Sequence, residues 1–85
     1  MRVDLHGLPF SEAKLKTQIA VAEAWVSSSK SIELVHGYNL GTVIKDYVQS
    51  YEGLQKDIKR IYPEISSLKL SDKGLGSTVI KFKRR

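Results

Sequence analysis

Two short segments of the chain carry side chains that could move a proton beside a phosphate. Each is an apolar, strand-like run that ends in His-Gly: Val3-Asp4-Leu5-His6-Gly7 and, thirty residues later, Glu33-Leu34-Val35-His36-Gly37. His6 and His36 are the two histidines of the chain. The ordinary pKa of imidazole lies close to neutral pH, so a histidine can take up and give back a proton during phosphodiester cleavage.

Asp4 and His6 form a pair that could act together. In a strand, residues two apart project from the same face, with backbones about 6.5–7 Å apart. The carboxylate could raise the pKa of the imidazole and orient its ring for general acid–base catalysis. Alternatively, Asp4 accepts hydrogen bonds from amides of the following turn or helix, and His6 is a turn residue. The spacing leaves both interpretations open.

A helix is predicted after the first His-Gly turn, over residues 12–27, with Ser11 as its N-cap. Its apolar residues recur at helical spacing and would form the packing face: Leu15, Ile19, Ala22 and Val26. Trp25 lies beside this stripe and is expected to pack in the core.

The rest of the chain contains a second helix and three more strands. The second helix is predicted from about residue 42 to 61, with Gly53 as a point of bending or breaking and Pro63 as its limit. Strands are predicted at 1–5, 31–35, 65–70 and 77–83, and a hairpin turn at 71–74.

This β-α-β-α-β-β order predicts an α/β protein of the α+β two-layer sandwich type. We expect one domain over residues 1–85, with both helices on one face of a four-stranded mixed sheet. Parallel first and second strands would bring both His-Gly pairs to the carboxyl edge of the sheet, where open sheets bind ligands. Both helix N-termini would lie there too, so the sequence predicts an anion pocket with two imidazoles beside it.

Glycine-rich loops border the expected pocket. Gly37 and Gly41 bracket Tyr38 and Asn39 ahead of a helix, as in a phosphate-binding loop, but no Gly-Lys-Ser/Thr follows. Tyr38 could stack on an unpaired base or pack against its neighbours. The later turn Gly74-Leu75-Gly76 could present amides to the same anion if the last strand lies beside the second.

The charge of the chain is uneven. Fourteen basic residues against nine acidic ones give a net charge of +5. Residues 1–42 are neutral overall, and the excess lies in residues 43–85, which end in Lys81, Lys83, Arg84 and Arg85. This asymmetry indicates a polyanionic partner, DNA or RNA, unless the basic residues are only a solvated tail.

Length and composition exclude several classes of protein. Eighty-five residues allow one domain with a thin core. The absence of cysteine excludes a disulfide framework, a thiolate zinc site and a cysteine nucleophile. A zinc site from Asp4, His6 and His36 is not predicted, because no fixed ligand spacing supports it. No run approaches the roughly 18 apolar residues of a membrane span, so we expect a cytoplasmic protein without a membrane partner.

Three blocks of the chain resemble the small MutS-related (Smr) domain family. Val3–Gly7 with Glu12-Ala13 is similar to the family's opening block, Ile32–Gly37 to its strand ending in His-Gly-x-Gly, and Gly74–Ile80 to its closing turn and strand. The blocks occur in the family's order, and the resemblance covers about residues 2–83. Asn39 stands where the family has its second glycine. Asparagine tolerates left-handed backbone geometry, but its side chain would narrow the approach of a phosphate.

The resemblance implies a sandwich like the C-terminal domain of translation initiation factor three. It also implies binding of DNA or RNA with nicking endonuclease activity, in which Asp4 and His6 are catalytic and the loop from His36 binds substrate. The resemblance leaves open whether cleavage needs a divalent cation such as Mg²⁺. It also leaves open whether a larger protein targets the domain to its substrate. The alternatives are a module that binds nucleic acid without cutting it and a protein-interaction module.

Overall fold

The fold is built on a mixed four-stranded sheet. The computed structural model describes residues 1–37, 43–65, 68–74 and 76–83. The elements are β1 (Arg2–Asp4), α1 (Phe10–Val26), β2 (Ser31–Val35), α2 (Val43–Val48), a π-helical turn (Tyr51–Gln55), α3 (Lys56–Ile61), β3 (Leu68–Lys73) and β4 (Ser77–Phe82). The strand order is β1-β2-β4-β3, with β1 and β2 parallel and β4 antiparallel to both of its neighbours. The predicted fold class is confirmed.

One face of the sheet packs against the helices. Alternate residues of β2 and β4 are buried: Ile32, Leu34, Thr78, Ile80 and Phe82. The residues between them are partly or fully exposed, which is the pattern of an antiparallel or mixed sheet with one open face. Within the described ranges, no helix has the length and apolar composition needed to cross a membrane.

The side of α1 that packs in the core differs from the predicted one. The residues with no exposed surface are mostly small: Ala13, Thr17, Val21 and Ala24. The predicted packing residues Leu15, Ile19 and Val26 are instead 58%, 45% and 81% exposed. Small side chains let the helix lie close to the branched residues of the sheet. The spacing of apolar residues could not show which side of α1 packs in the core, because apolar residues occur on most sides of this helix.

Gly53 breaks the predicted second helix. Its φ of −95° and ψ of −106° are not helical, and the π-helical turn around it separates α2 from α3. A Cβ atom at this position would collide with the backbone carbonyl of Tyr47. The Ser50 hydroxyl accepts a hydrogen bond from the Glu52 amide at 3.1 Å and so caps the segment that follows.

The closing hairpin begins later than predicted. The sequence pattern predicts that β3 begins at Ile65, but Ile65 is buried in a turn where its amide donates to the Tyr62 carbonyl at 2.9 Å. Residues 71–73, predicted as a turn, continue β3 past a bulge between Leu70 and Asp72. The extra residue in the bulge lets the strand stay paired with β4 as far as Lys73, so the hairpin connection begins after that residue.

Candidate functional site

The two His-Gly turns lie side by side at the carboxyl ends of β1 and β2. Asp4 pairs in register with Val35, and the Leu5 amide donates to the Val35 carbonyl at 2.7 Å. His6 therefore reaches the level of Gly37. A Cβ atom built on Gly37 would lie 2.9 Å from Cδ2 of His6, so the imidazole lies directly against the backbone of the second turn. The structure contains the predicted juxtaposition of the two turns.

Both turns require glycine, for different reasons. Gly7 has a φ of +78° and Gly37 a φ of +73°, in the left-handed region that other residues rarely adopt. A Cβ atom at Gly7 would meet nothing within 4 Å, whereas one at Gly37 would press on the His6 ring. Gly7 is thus needed only for the backbone conformation. Gly37 is also needed for the close approach of His6.

The Asp4 carboxylate holds the backbone of the first turn. Its Oδ1 accepts a hydrogen bond from the His6 amide at 2.9 Å, which is the structural interpretation of the Asp-x-His pattern. Asp4 and His6 are both exposed. Among the residues that the structure describes, none makes a hydrogen bond to the His6 ring.

The first turn of α1 adds backbone donors to this rim. The helix begins at Phe10 with Pro9 in the N-cap position, so the prediction of Ser11 as N-cap was wrong; Ser11 lies inside the first turn. The first intrahelical bond runs from the Ala13 amide to the Pro9 carbonyl at 2.9 Å. The amides of residues 10–12 therefore have no acceptor within the helix, and they carry the positive end of its dipole.

Lys16 brings a cation to the same edge, although it was not among the predicted site residues. Its Nζ donates to the backbone carbonyl of Asp4 at 3.2 Å. No motif marks this residue. In the sequence, the one feature that links Lys16 to the site is its position in the helix after the first His-Gly turn. Lys14 lies in the same helix, so this feature does not distinguish the two lysines.

His36 is buried in a polar network. Its Nδ1 lies 3.0 Å from the Gly37 carbonyl, and its Nε2 lies 2.9 Å from Oγ1 of Thr78. Gln49 Nε2 donates both to Thr78 Oγ1 at 2.9 Å and to the Gly74 carbonyl at 3.1 Å. The network joins the end of β2, the start of β4, the end of α2 and the hairpin. Thr78 and Gln49 were not predicted as site residues, because neither stands near a histidine in the sequence.

A neutral His36 satisfies every member of this network. A carbonyl can only accept, so Nδ1 carries the proton and donates to Gly37. Nε2 then accepts from the Thr78 hydroxyl, whose oxygen accepts in turn from Gln49. Both ring nitrogens are therefore engaged within the protein. The phosphate-binding role predicted for His36 stays a prediction, while the observed contacts hold its ring between the Gly37 carbonyl and the Thr78 hydroxyl.

The hairpin turn contributes a carbonyl acceptor to this edge. The amides of His36 and Gly37 both donate to the Gly76 carbonyl, at 3.0 and 2.9 Å. The Gly74 amide donates to the Ser77 carbonyl at 2.9 Å within the hairpin. The structure thus brings Gly74 and Gly76 to the predicted edge, but the amide of Gly74 is already used there.

The basic residues of β4 lie away from this edge. Ser77 pairs with Val35 beside the site, whereas Lys81 pairs with Ser31 at the other end of β2. Four residues of strand separate these two positions, or about 13 Å. Lys83 follows the end of β4 and is exposed. The other predicted binding residues lie outside the described part of the chain: Tyr38, Asn39, Gly41, Arg84 and Arg85.

A second polar cluster fixes α1 against α2 and α3. The Tyr47 hydroxyl donates to Asp57 Oδ2 at 2.8 Å, and Gln18 Nε2 donates to Tyr47 Oη at 2.9 Å. Arg60 donates to Asp57 Oδ1 at 3.3 Å, and Lys14 Nζ lies 3.7 Å from Oδ2. Burial raises the pKa of Asp57, but the hydrogen bonds from Tyr47 and Arg60 and the charge of Lys14 outweigh it, so the pKa lies below its usual value. Burial raises the pKa of Tyr47 above its ordinary range.

Acid is expected to weaken the fold through Asp57. Because its pKa is lower in the folded protein than the usual 3.8, ionised Asp57 stabilises the fold at pH values above 3.8. This contribution is lost as the pH falls from 3.8 through the folded pKa. Asp57→Asn should therefore lower the free energy of unfolding at neutral pH, and its difference from the parent should shrink through that window.

Urea denaturation of parent and variant from neutral to acidic pH measures this difference. The matched control is Glu64→Gln, which removes an exposed carboxylate outside the cluster and should show no such convergence with the parent. A constant difference between Asp57→Asn and the parent at every pH would contradict the assignment.

A protein cage for a metal ion is absent from the described residues. No group of three or more His, Asp and Glu side chains there could hold one. The nearest carboxylate to His6 in the chain is Asp4, and one of its oxygens is already bound to the His6 amide. The described residues therefore do not fit a cation held by the protein alone. Mg²⁺ is often carried by one carboxylate together with substrate phosphates.

Comparison with known proteins agrees with this architecture. A model of the Smr domain matches residues 3–83 of the chain. The chain is similar to the crystal structure of the Smr domain of Thermus thermophilus MutS2, with 23% identity, a TM-score of 0.67 and 98% of each chain covered. At this identity the likeness shows the fold alone. A search among curated proteins finds no match.

Proposed function

The chain belongs to the Smr domain family, and on that premise we propose that it binds nucleic acid and nicks its phosphodiester backbone at the His6 turn. The observation that carries the proposal is the exposed imidazole of His6 seated on Gly37, with free helix amides and Lys16 on the same rim. This arrangement places a group that can transfer a proton next to hydrogen-bond donors that can hold a phosphate.

In the proposed reaction, His6 acts as the general base. Its ring takes a proton from an attacking water, or from a ribose hydroxyl, while the oxygen of that group forms a bond to phosphorus. The bond from phosphorus to the leaving oxygen breaks, and that oxygen is protonated from solvent. The amides at the start of α1 and the ammonium of Lys16 stabilise the negative charge that develops on the phosphoryl oxygens.

The other residues of the site hold this arrangement in place. Asp4 fixes the turn that carries His6 by binding its amide, so it is proposed as a positioning residue. His36 and Thr78 fix the backbone of the second turn, on which the His6 ring rests. The proposed catalytic role is therefore kept for His6 alone.

The test measures binding and nicking with the same purified chain. Supercoiled plasmid and a structured RNA are incubated with it in Mg²⁺ and in excess EDTA, and affinity is followed over a range of salt concentrations. We expect nicked product from at least one substrate, and the logarithm of the affinity should fall linearly with the logarithm of the salt concentration. Absence of binding at low salt would refute the proposal.

A second candidate function is binding without cleavage. The observation that favours it is that Asp4 contacts the amide of His6 rather than its ring, so no carboxylate of the described residues is bonded to the imidazole. In the same assay, salt-dependent binding without product under either metal condition would support this candidate over the first.

A further inference from the structure

A second groove lies at the opposite end of the sheet from the His6 turn. Its volume is about 500 Å³, and its walls come from the π-helical turn, α3, the start of β3 and the residue after β4. Leu68 and Phe82 are paired at this end of the sheet, whereas Ser77 lies beside the His36 turn at the other end. Ile65 and Leu68 contribute apolar surface to the groove. It is therefore spatially separate from the proposed cleavage site.

The groove is positively charged. Lys56, Lys59 and Lys83 line it, and all three are exposed. Among the described lining residues Glu52 is the one acidic residue, and it lies 3.7 Å from Lys56; three lysines against one glutamate leave +2. Lys59 and Lys83 form no ion pair with any described residue. This charge is complementary to a phosphate backbone.

Two further side chains define what the groove can recognise. The Tyr51 side chain has a large aromatic ring, and the residue is 69% exposed beside the lysines. Gln55 Nε2 is buried and has no hydrogen-bond partner among the described residues. A buried donor without an acceptor costs about 1–3 kcal/mol, so a ligand that supplies an acceptor would remove an existing penalty.

We propose that this groove binds a single-stranded segment of the same nucleic acid that is cut at the His6 turn. A base stacks on Tyr51, phosphates lie beside Lys59 and Lys83, and an oxygen or ring nitrogen of a base accepts from Gln55. A single strand is required because its bases are free to stack on a side chain, whereas those of a duplex are already stacked. The inference rests on the proposed function.

The test is fluorescence anisotropy with a short single-stranded oligonucleotide, in a His6→Ala background that prevents cleavage. Tyr51→Ala is expected to weaken binding at least about 5-fold, because stacking on an aromatic side chain contributes roughly 1–3 kcal/mol per base. The double variant Lys59→Ala/Lys83→Ala is expected to lower the slope of log affinity against log salt by about 1.4, or roughly 0.7 for each phosphate that is no longer neutralised by a lysine.

Lys69→Ala is the matched control for the charge. It removes the same charge from the strand next to Leu68, but from the opposite face of the sheet, because side chains alternate along β3. Its affinity should stay within about 2-fold of the parent, since the exposed Lys69 side chain projects from the open face of the sheet, whereas Leu68 packs toward the core. Gln55→Leu tests the unpaired donor separately: it should weaken binding without lowering the free energy of unfolding, because Nε2 makes no hydrogen bond to any described residue that the substitution would remove.

Nicking kinetics separate this groove from the cleavage site. In a protein with His6 intact, the groove variants should raise KM and leave kcat unchanged. Affinities equal to that of Lys69→Ala would overturn the inference while the proposed function stands. If the parent binds neither oligonucleotide nor plasmid, the proposed function fails as well.

Discussion

Replacement of His6 by alanine is expected to lower the rate of nicking by at least about 100-fold, the usual contribution of a positioned general acid or base. Affinity for the substrate should change little, because the helix amides and the lysines stay in place. The expectation follows from the position of the ring, which is exposed, rests on Gly37 and has no hydrogen-bond partner among the described residues. The measurement is single-turnover nicking under the metal condition in which the parent is active.

Stability provides the control for this variant. Since the His6 ring is exposed, the Tm of His6→Ala should match that of the parent. A variant that is folded like the parent but nicks more slowly would assign the proton transfer to His6. His6→Gln keeps a polar side chain of similar size and should be as slow as His6→Ala. Nicking at the parental rate by either variant would remove His6 from the mechanism.

Gly37→Ala is expected to lower both stability and the nicking rate, whereas Gly7→Ala should lower mainly stability. Each substitution puts a Cβ atom on a residue with positive φ, which destabilises the fold by about 1–2 kcal/mol. In Gly37→Ala the new methyl group also displaces the His6 ring, because the built Cβ lies 2.9 Å from Cδ2. A displacement of about 1 Å at a reacting group can lower a rate about 100-fold.

The two glycine variants are matched controls for each other. Both replace a glycine of a His-Gly turn at nearly the same φ, and they differ in whether the new Cβ meets His6. Denaturant unfolding measures the shared loss of stability, and nicking below the unfolding transition measures the difference in rate. Equal rates for the two variants would show that the contact between the imidazole and the second turn has no part in the reaction.

The sequence by itself was sufficient for the order of the elements and for the alignment of the two His-Gly turns on one edge of the sheet. The repeated run of apolar residues ending in His-Gly is local, and each run forms its strand and turn from its own residues. Parallel pairing of β1 and β2 then aligns the two turns on one edge. The break at Gly53 was also predictable, because a glycine inside a helical pattern marks a point where the chain can leave the helix.

Tertiary structure alone decided which atoms at that edge are available. Whether His36 points outward or into the protein depends on Thr78 and Gln49, which are distant in the sequence and become its partners only when β4 and the end of α2 pack beside β2. The face of α1 was decided in the same way, since close packing on the sheet selects small side chains over large ones. The strand register separated Lys81 and Lys83 from the histidines. These hydrogen bonds and packing contacts join residues far apart in the chain, so they depend on the tertiary arrangement and cannot be inferred from a local sequence pattern.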